Sequence, residues 1–189
     1  MSNGDIEIRS VPMALRASEE SRKIRGHAIV FNSQSRDLGG FREIITPEAV
    51  DRTIREALDV RALIDHDSAK IIGRTRAGTL MLRKESRGLF VDIDPPNTTA
   101  ANDILESIRR GDVTGMSFAF RVLDDQWHME EGDPVREVTD MTISEVSIVT
   151  FPAYEQTDVA VAKRSLERFQ SSGMSIDFAL KLHQTNLAR

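Results

Sequence analysis

Val113-Thr-Gly-Met-Ser-Phe-Ala-Phe-Arg-Val122 alternates two kinds of side chain along one extended segment. Thr114, Met116, Phe118, Phe120 and Val122 point one way; Val113, Gly115, Ser117, Ala119 and Arg121 point the other. The bulky set packs a core. The small set flanks Ser117 with glycine and alanine and leaves room for a second backbone to pass. The period of two marks a β-strand with two different faces.

Strand-like segments dominate up to about residue 160. Ile6–Arg16 and Ile24–Phe31 come first, and Ser33–Gly40 is a loop by composition. Thr46-Pro47-Glu48 opens a helix: Thr caps, Pro takes the first helical position, and Glu suits the positive helix end. Val50, Ile54 and Leu58 give that helix one apolar stripe. Val60–Ile64 is a short buried strand leading into Asp65-His66-Asp67. Gly78–Arg83 and Gly88–Ile93 form a hairpin across Lys84-Glu-Ser-Arg87. Thr98 or Thr99 caps a second helix with Ala101, Ile104, Leu105 and Ile108 on one face, and Gly111 stops it. Asp124–Asp133 reads as a polar, acidic loop, and Val135–Val149 as one long bent strand or two. Phe151-Pro-Ala-Tyr154 must turn, because Pro152 cannot donate to a ladder. The expected class is α+β, mainly β.

At 189 residues the chain is long enough for one domain with a real core. Hydrophobic residues make up 40% and charged ones 29%, which points to a soluble globular body. With no cysteine there is no disulfide scaffold, thiol nucleophile or thiolate metal site, and a reducing cytoplasm suits the composition. Met1-Ser-Asn-Gly-Asp-Ile-Glu7 is no signal peptide, and no apolar run approaches the roughly 20 residues of a membrane span. Residues 163–189 hold five Lys/Arg against two Asp/Glu, so a net charge of −5 divides into a basic tail and an acidic body. Leu166, Phe169, Ile176, Ala179, Leu180 and Leu182 suit one or two helices there, broken at Ser171-Ser-Gly173. The tail either docks on the body or an acidic partner, or is a solvated helix face. An acidic body with few aromatics argues against nucleic-acid binding.

Three polar residues interrupt three hydrophobic stretches: His66, Ser117, and Glu145 in Ile143-Ser-Glu-Val-Ser-Ile-Val149. A serine hydroxyl attacks only when a neighbouring base takes its proton. Histidine does this near neutral pH. A carboxylate on the far ring nitrogen fixes the tautomer and stabilises the imidazolium. An acyl-transfer site is the leading expectation. Each residue also has a bland reading. His66 between two aspartates suits a solvated turn or a weak metal site, serines are common on strands, and Glu145 with Ser147 suits a strand with one solvated face. The other histidines, His27, His128 and His183, offer weaker signals. No His-Glu-x-x-His zinc motif is present.

At these residues the chain resembles the prohead (head maturation) serine proteases of tailed bacteriophages. The match runs over roughly residues 5–160. It takes in Arg25-Gly-His-Ala-Ile-Val-Phe-Asn32 and Glu43-Ile-Ile-Thr-Pro-Glu-Ala-Val50. His66-Asp67, Gly73, Gly78-Thr-Leu80 and Gly88-Leu89 follow, then Met116-Ser-Phe-Ala-Phe120 and Ile143 through Tyr154. The family is distantly similar to the herpesvirus assemblins, which implies a closed β-barrel with flanking helices. The resemblance makes Ser117 the nucleophile, His66 the base and Glu145 the third member. Assemblins carry arginines near the oxyanion hole shortly after the third member, where this chain has Phe151-Pro-Ala-Tyr154. Backbone N–H groups of that turn, or near Ser117, take the oxyanion role by default.

The resemblance further implies a domain over residues 1–162 and a helical tail over 163–189 that binds scaffold or is removed by autocleavage. The substrate it implies is the major capsid protein or scaffold, cleaved inside the prohead in the bacterial host cytoplasm. No cofactor and no membrane are called for, and a homodimer follows by analogy with the assemblins. Two other functions stay open: a non-catalytic capsid assembly or scaffold-binding protein of the same fold, and metal-dependent hydrolysis at Asp65-His66-Asp67.

Overall fold

The computed structural model describes residues 5–11, 15–17, 21–150 and 162–171. Its strands are β1 (Glu7–Val11), β2 (Arg16–Ala17), β3 (Ile24–Val30), β4 (Arg42–Ile45), β5 (Arg61–Ile64), β6 (Asp67–Arg74), β7 (Leu80–Lys84), β8 (Gly88–Ile93), β9 (Gly115–Glu130) and β10 (Asp133–Val149). The helices are α1 (Asp51–Arg55), α2 (Thr99–Arg110) and α3, residues 162–171. One sheet runs β1-β9-β10-β5-β6 with β4 also on β10; the other runs β2-β3-β8-β7.

β10 organises the larger sheet. One of its edges pairs antiparallel with β9 along almost its whole length. The other edge is shared: Val135–Val138 pairs parallel with β4 and Glu145–Ile148 parallel with β5. Three register shifts bend the β9–β10 pair, so a single strand serves both ends.

The alternation expected of residues 113–122 is present from Gly115, where the strand begins; before it Val113 is in the core and Thr114 is exposed, and the small face at Ser117 and Ala119 is buried as well. Met116, Phe118 and Phe120 lie in the core with Val146, Ile148, Ile24, Leu89 and Val91, so one core is common to both sheets. Each such side chain contributes about 1.5–3 kcal/mol when withdrawn from water. β6 lies against β7 and β1 against β3, so the edges of the two sheets approach each other. No ladder joins them among the described residues, and the expected closed barrel is seen there as two sheets.

Two glycines are dictated by close approach. A Cβ on Gly88 would stand 1.9 Å from the Ile29 carbonyl oxygen, and one on Gly73 would stand 2.9 Å from that of Thr79.

The helix signals divide. Thr98 caps α2 by accepting from the Ala101 N–H at 3.4 Å, and Gly111 ends the helix at φ 80°. Thr46 opens a 3₁₀ turn over Pro47–Val50 before the short α1, and its hydroxyl makes no cap bond. Ala49, Val50 and Thr53, rather than Leu58, are the buried residues of that segment.

The polar loop expected over Asp124–Asp133 is instead the far half of a hairpin. β9 runs on to Glu130 and turns through Glu131 and Gly132, at φ 52° and 96°, into β10. Tertiary contact explains the difference. Trp127 packs on Phe41 and on α3, which turns one face of this polar ribbon inward. α3 docks through Ala162, Leu166 and Phe169; Ser165 accepts from Trp127 Nε1 at 2.9 Å, and Arg164 pairs with Asp5 at 2.8 Å. The start of the basic tail therefore lies on the body. Residues 172–189 and the turn at Phe151–Tyr154 lie outside the described residues.

Candidate active site

β5 and β6 are joined by two residues, Asp65 and His66, with φ of 48° and 59°. Consecutive left-handed residues make the tight hairpin turn whose twist matches the strands. Neither residue is glycine, so the turn is strained by about 1–3 kcal/mol per residue, although aspartate and histidine tolerate this region better than most. The Asp65 N–H donates to the Ile148 carbonyl at 2.9 Å. Its carboxylate accepts from the Thr150 N–H at 2.9 Å and from the Thr150 hydroxyl at 3.2 and 3.3 Å. Asp67 accepts from the Ala69 N–H, which, with Lys70, holds its carboxyl below the usual carboxylate range. Neither aspartate bonds the imidazole.

His66 reaches the neighbouring strand instead. Its Nδ1 meets Glu145 Oε1, the imidazole 27% and the carboxylate 19% exposed. The same Oε1 accepts from the hydroxyl of Ser147 at 3.1 Å. Ser147 stands two residues beyond Glu145, on the same face and fully buried, so the solvated-face reading of this strand does not hold. A carboxylate on Nδ1 leaves Nε2 as the ring's free atom, the tautomer a general base needs.

Ser117 lies on β9 directly across from Ser147, and Ala119 directly across from Glu145. Paired Cα atoms sit about 4.5–5.5 Å apart, so all these groups occupy adjacent positions of one sheet face. The Ser117 side chain is fully buried, and its hydroxyl donates to the Arg9 carbonyl on β1 at 2.8 Å. No hydrogen bond joins it to His66. The structure thus brings His66 and Glu145 together and places Ser117 one strand away, turned toward β1.

Over residues 9–172 the chain matches the caudovirus prohead serine proteases. It belongs to that family. The prohead protease of Enterobacteria phage HK97 is 29% identical over 143 residues, which is 73% of this chain and 59% of that protein. The chain therefore spans less than two thirds of the length of this relative. The solved structure of the bacteriophage T4 capsid assembly protease is similar over 77% of this chain and 96% of its own, with 10% identity and a TM-score of 0.49.

Sequence reasoning singled out His66, Ser117 and Glu145 but not the groups that they meet. Ser147 was legible in principle, because i and i+2 share a strand face. Arg9 was not: its carbonyl comes from 108 residues away. Among the described residues no group of three or more His, Cys, Asp or Glu side chains comes together as a metal site would require.

Proposed function

We propose that this chain is a serine endopeptidase with Ser117 as nucleophile, His66 as general base and Glu145 as orienting carboxylate. The observation that carries the reading is the His66 Nδ1–Glu145 Oε1 contact, facing the serine strand of a prohead-protease family member. Ser117 Oγ attacks the scissile carbonyl while His66 Nε2 takes its proton. The imidazolium, held by Glu145, then returns that proton to the leaving amine, and water repeats the sequence on the acyl-enzyme. The reading requires the Ser117 hydroxyl to leave the Arg9 carbonyl first.

The substrate we propose is a capsid or scaffold polypeptide inside the prohead, with the chain itself as a second target. A homodimer, an assemblin-like barrel closing at the β6–β7 and β1–β3 seams, and a separable tail from residue 163 belong to the same proposal. A non-catalytic scaffold-binding role is disfavoured by the presence of all three residue types.

Expression of wild type and Ser117→Ala with the cognate capsid protein, read by intact mass, tests it. Wild-type-only truncation is expected, with a loss on the order of 10⁶-fold in the variant. Equal truncation in both chains would move the nucleophile away from Ser117, and none in either would favour an assembly role.

A further inference from the structure

We propose that Asp65 is a positioning residue, which with Thr150 clamps the left-handed turn that presents His66 to Glu145. The inference rests on the proposed Ser117 mechanism and adds a group that touches neither substrate nor reacting atoms.

The turn has only two residues, and both sit at positive φ without being glycine. β5 and β6 alone hold it poorly. Their ladder is shifted on both sides of Leu63, and Ile64 pairs with Asp67 while Leu63 pairs with Ile71, which leaves residues 68–70 bulged out. Ser68, Ala69 and Lys70 are exposed, and the bulge is held through Asp67, which meets the Ala69 N–H and Lys70 and not the body of the protein.

What does fix the turn comes from β10 and the residue just beyond it. Asp65 is tied there three ways: its N–H to Ile148, and its carboxylate to both the N–H and the hydroxyl of Thr150. An ionised acceptor makes the stronger kind of hydrogen bond. β10 is also the strand that carries Glu145 and Ser147. The clamp therefore references the imidazole to the same strand that holds its carboxylate, and errors in the bulged β6 are not passed to the His66–Glu145 contact. Aspartate meets both demands of the position, because it tolerates the left-handed region and supplies the acceptor.

Three variants separate these roles. Asp65→Asn keeps an acceptor and the backbone tolerance. Asp65→Gly relieves the backbone but removes the clamp, and Asp65→Ala loses both. The readouts are kcat and KM on a capsid-derived peptide, and the downfield Nδ1–H proton resonance of His66, which needs no activity. Asp65→Gly and Asp65→Ala are each expected to lose about 100-fold in kcat with little change in KM, and to lose or broaden the resonance. Asp65→Asn should stay within a few-fold of wild type. On a Glu145→Gln background, Asp65→Gly should cost almost nothing further, because both changes act through one contact.

Full activity and a sharp resonance in Asp65→Gly would overturn the proposal. So would an additive loss on the Glu145→Gln background. If Asp65→Ala fails to fold, Asp65→Gly decides alone. If Ser117→Ala cleaves like wild type, the serine mechanism fails, while the resonance still reports whether Asp65 holds the imidazole.

Discussion

At Arg136, β10 carries a charge that is 3% exposed and meets the carboxylates of Glu7, Glu43 and Asp125. At Glu145 it carries one that is 19% exposed and meets a single imidazole and a hydroxyl. The first group belongs to a sealed quartet. Arg9 donates to Glu43 at 2.8 Å and to Glu7 at 2.7 Å, and Arg136 bonds the same two carboxylates at 2.9–3.1 Å. Burial alone would lower the affinity of Arg136 for its proton, but Glu43 and Glu7 outweigh it and raise that affinity above the ordinary arginine value. Arg136 therefore stays charged, and the quartet ties β1, β4 and β10 together. The second group contains an imidazole, and water reaches it. Chemistry is possible where pairing is incomplete. The two meet at Arg9, whose guanidinium closes the quartet while its carbonyl receives the Ser117 hydroxyl.

The contrast breaks most easily at its chemical end. Glu145→Gln preserves shape but not charge, and should lower kcat by about 10⁴-fold while leaving the melting temperature nearly unchanged. Retained activity would show that His66 needs no carboxylate.

At the other end Arg136→Met leaves the buried carboxylates of Glu7 and Glu43 to share Arg9 alone, and should cost about 3–5 kcal/mol in denaturant unfolding. Replacing the quartet as a whole by apolar residues of similar volume should cost far less, because no charge is then left unpaired. If both changes cost the same, packing and not charge pairing explains the site.

A smaller effect sharpens the comparison. Ser147→Ala removes one hydrogen bond from Glu145 and should lower kcat roughly fivefold, the equivalent of about 1 kcal/mol. A loss as large as that of Ser117→Ala would make Ser147 the nucleophile.

The smallest lies in the turn. Asp67 has its carboxyl lowered by the Ala69 N–H and Lys70, so its contribution to stability is present above the usual carboxylate range and fades as pH falls through its folded value. Asp67→Asn should flatten the acid limb of melting temperature against pH slightly, and leave the neutral value almost unchanged.

Much of this was legible in advance because it is local. The alternation of residues 115–122, the cap at Thr98, the stop at Gly111 and the hairpin around Lys84–Arg87 depend on neighbours a few positions apart. His66, Ser117 and Glu145 stood out because polar groups in apolar runs are costly without a partner. Tertiary structure alone decided which partners they took. The polar segment 124–133 became strand because Phe41 and α3 cover one side of Trp127. The quartet links Glu7 to Arg136, 129 residues away. Ser117 found Arg9, and the turn at Asp65 found Thr150. Periodicity reports which face of an element is buried. It carries no term for which distant strand arrives beside it, since that choice is made by the whole core at once.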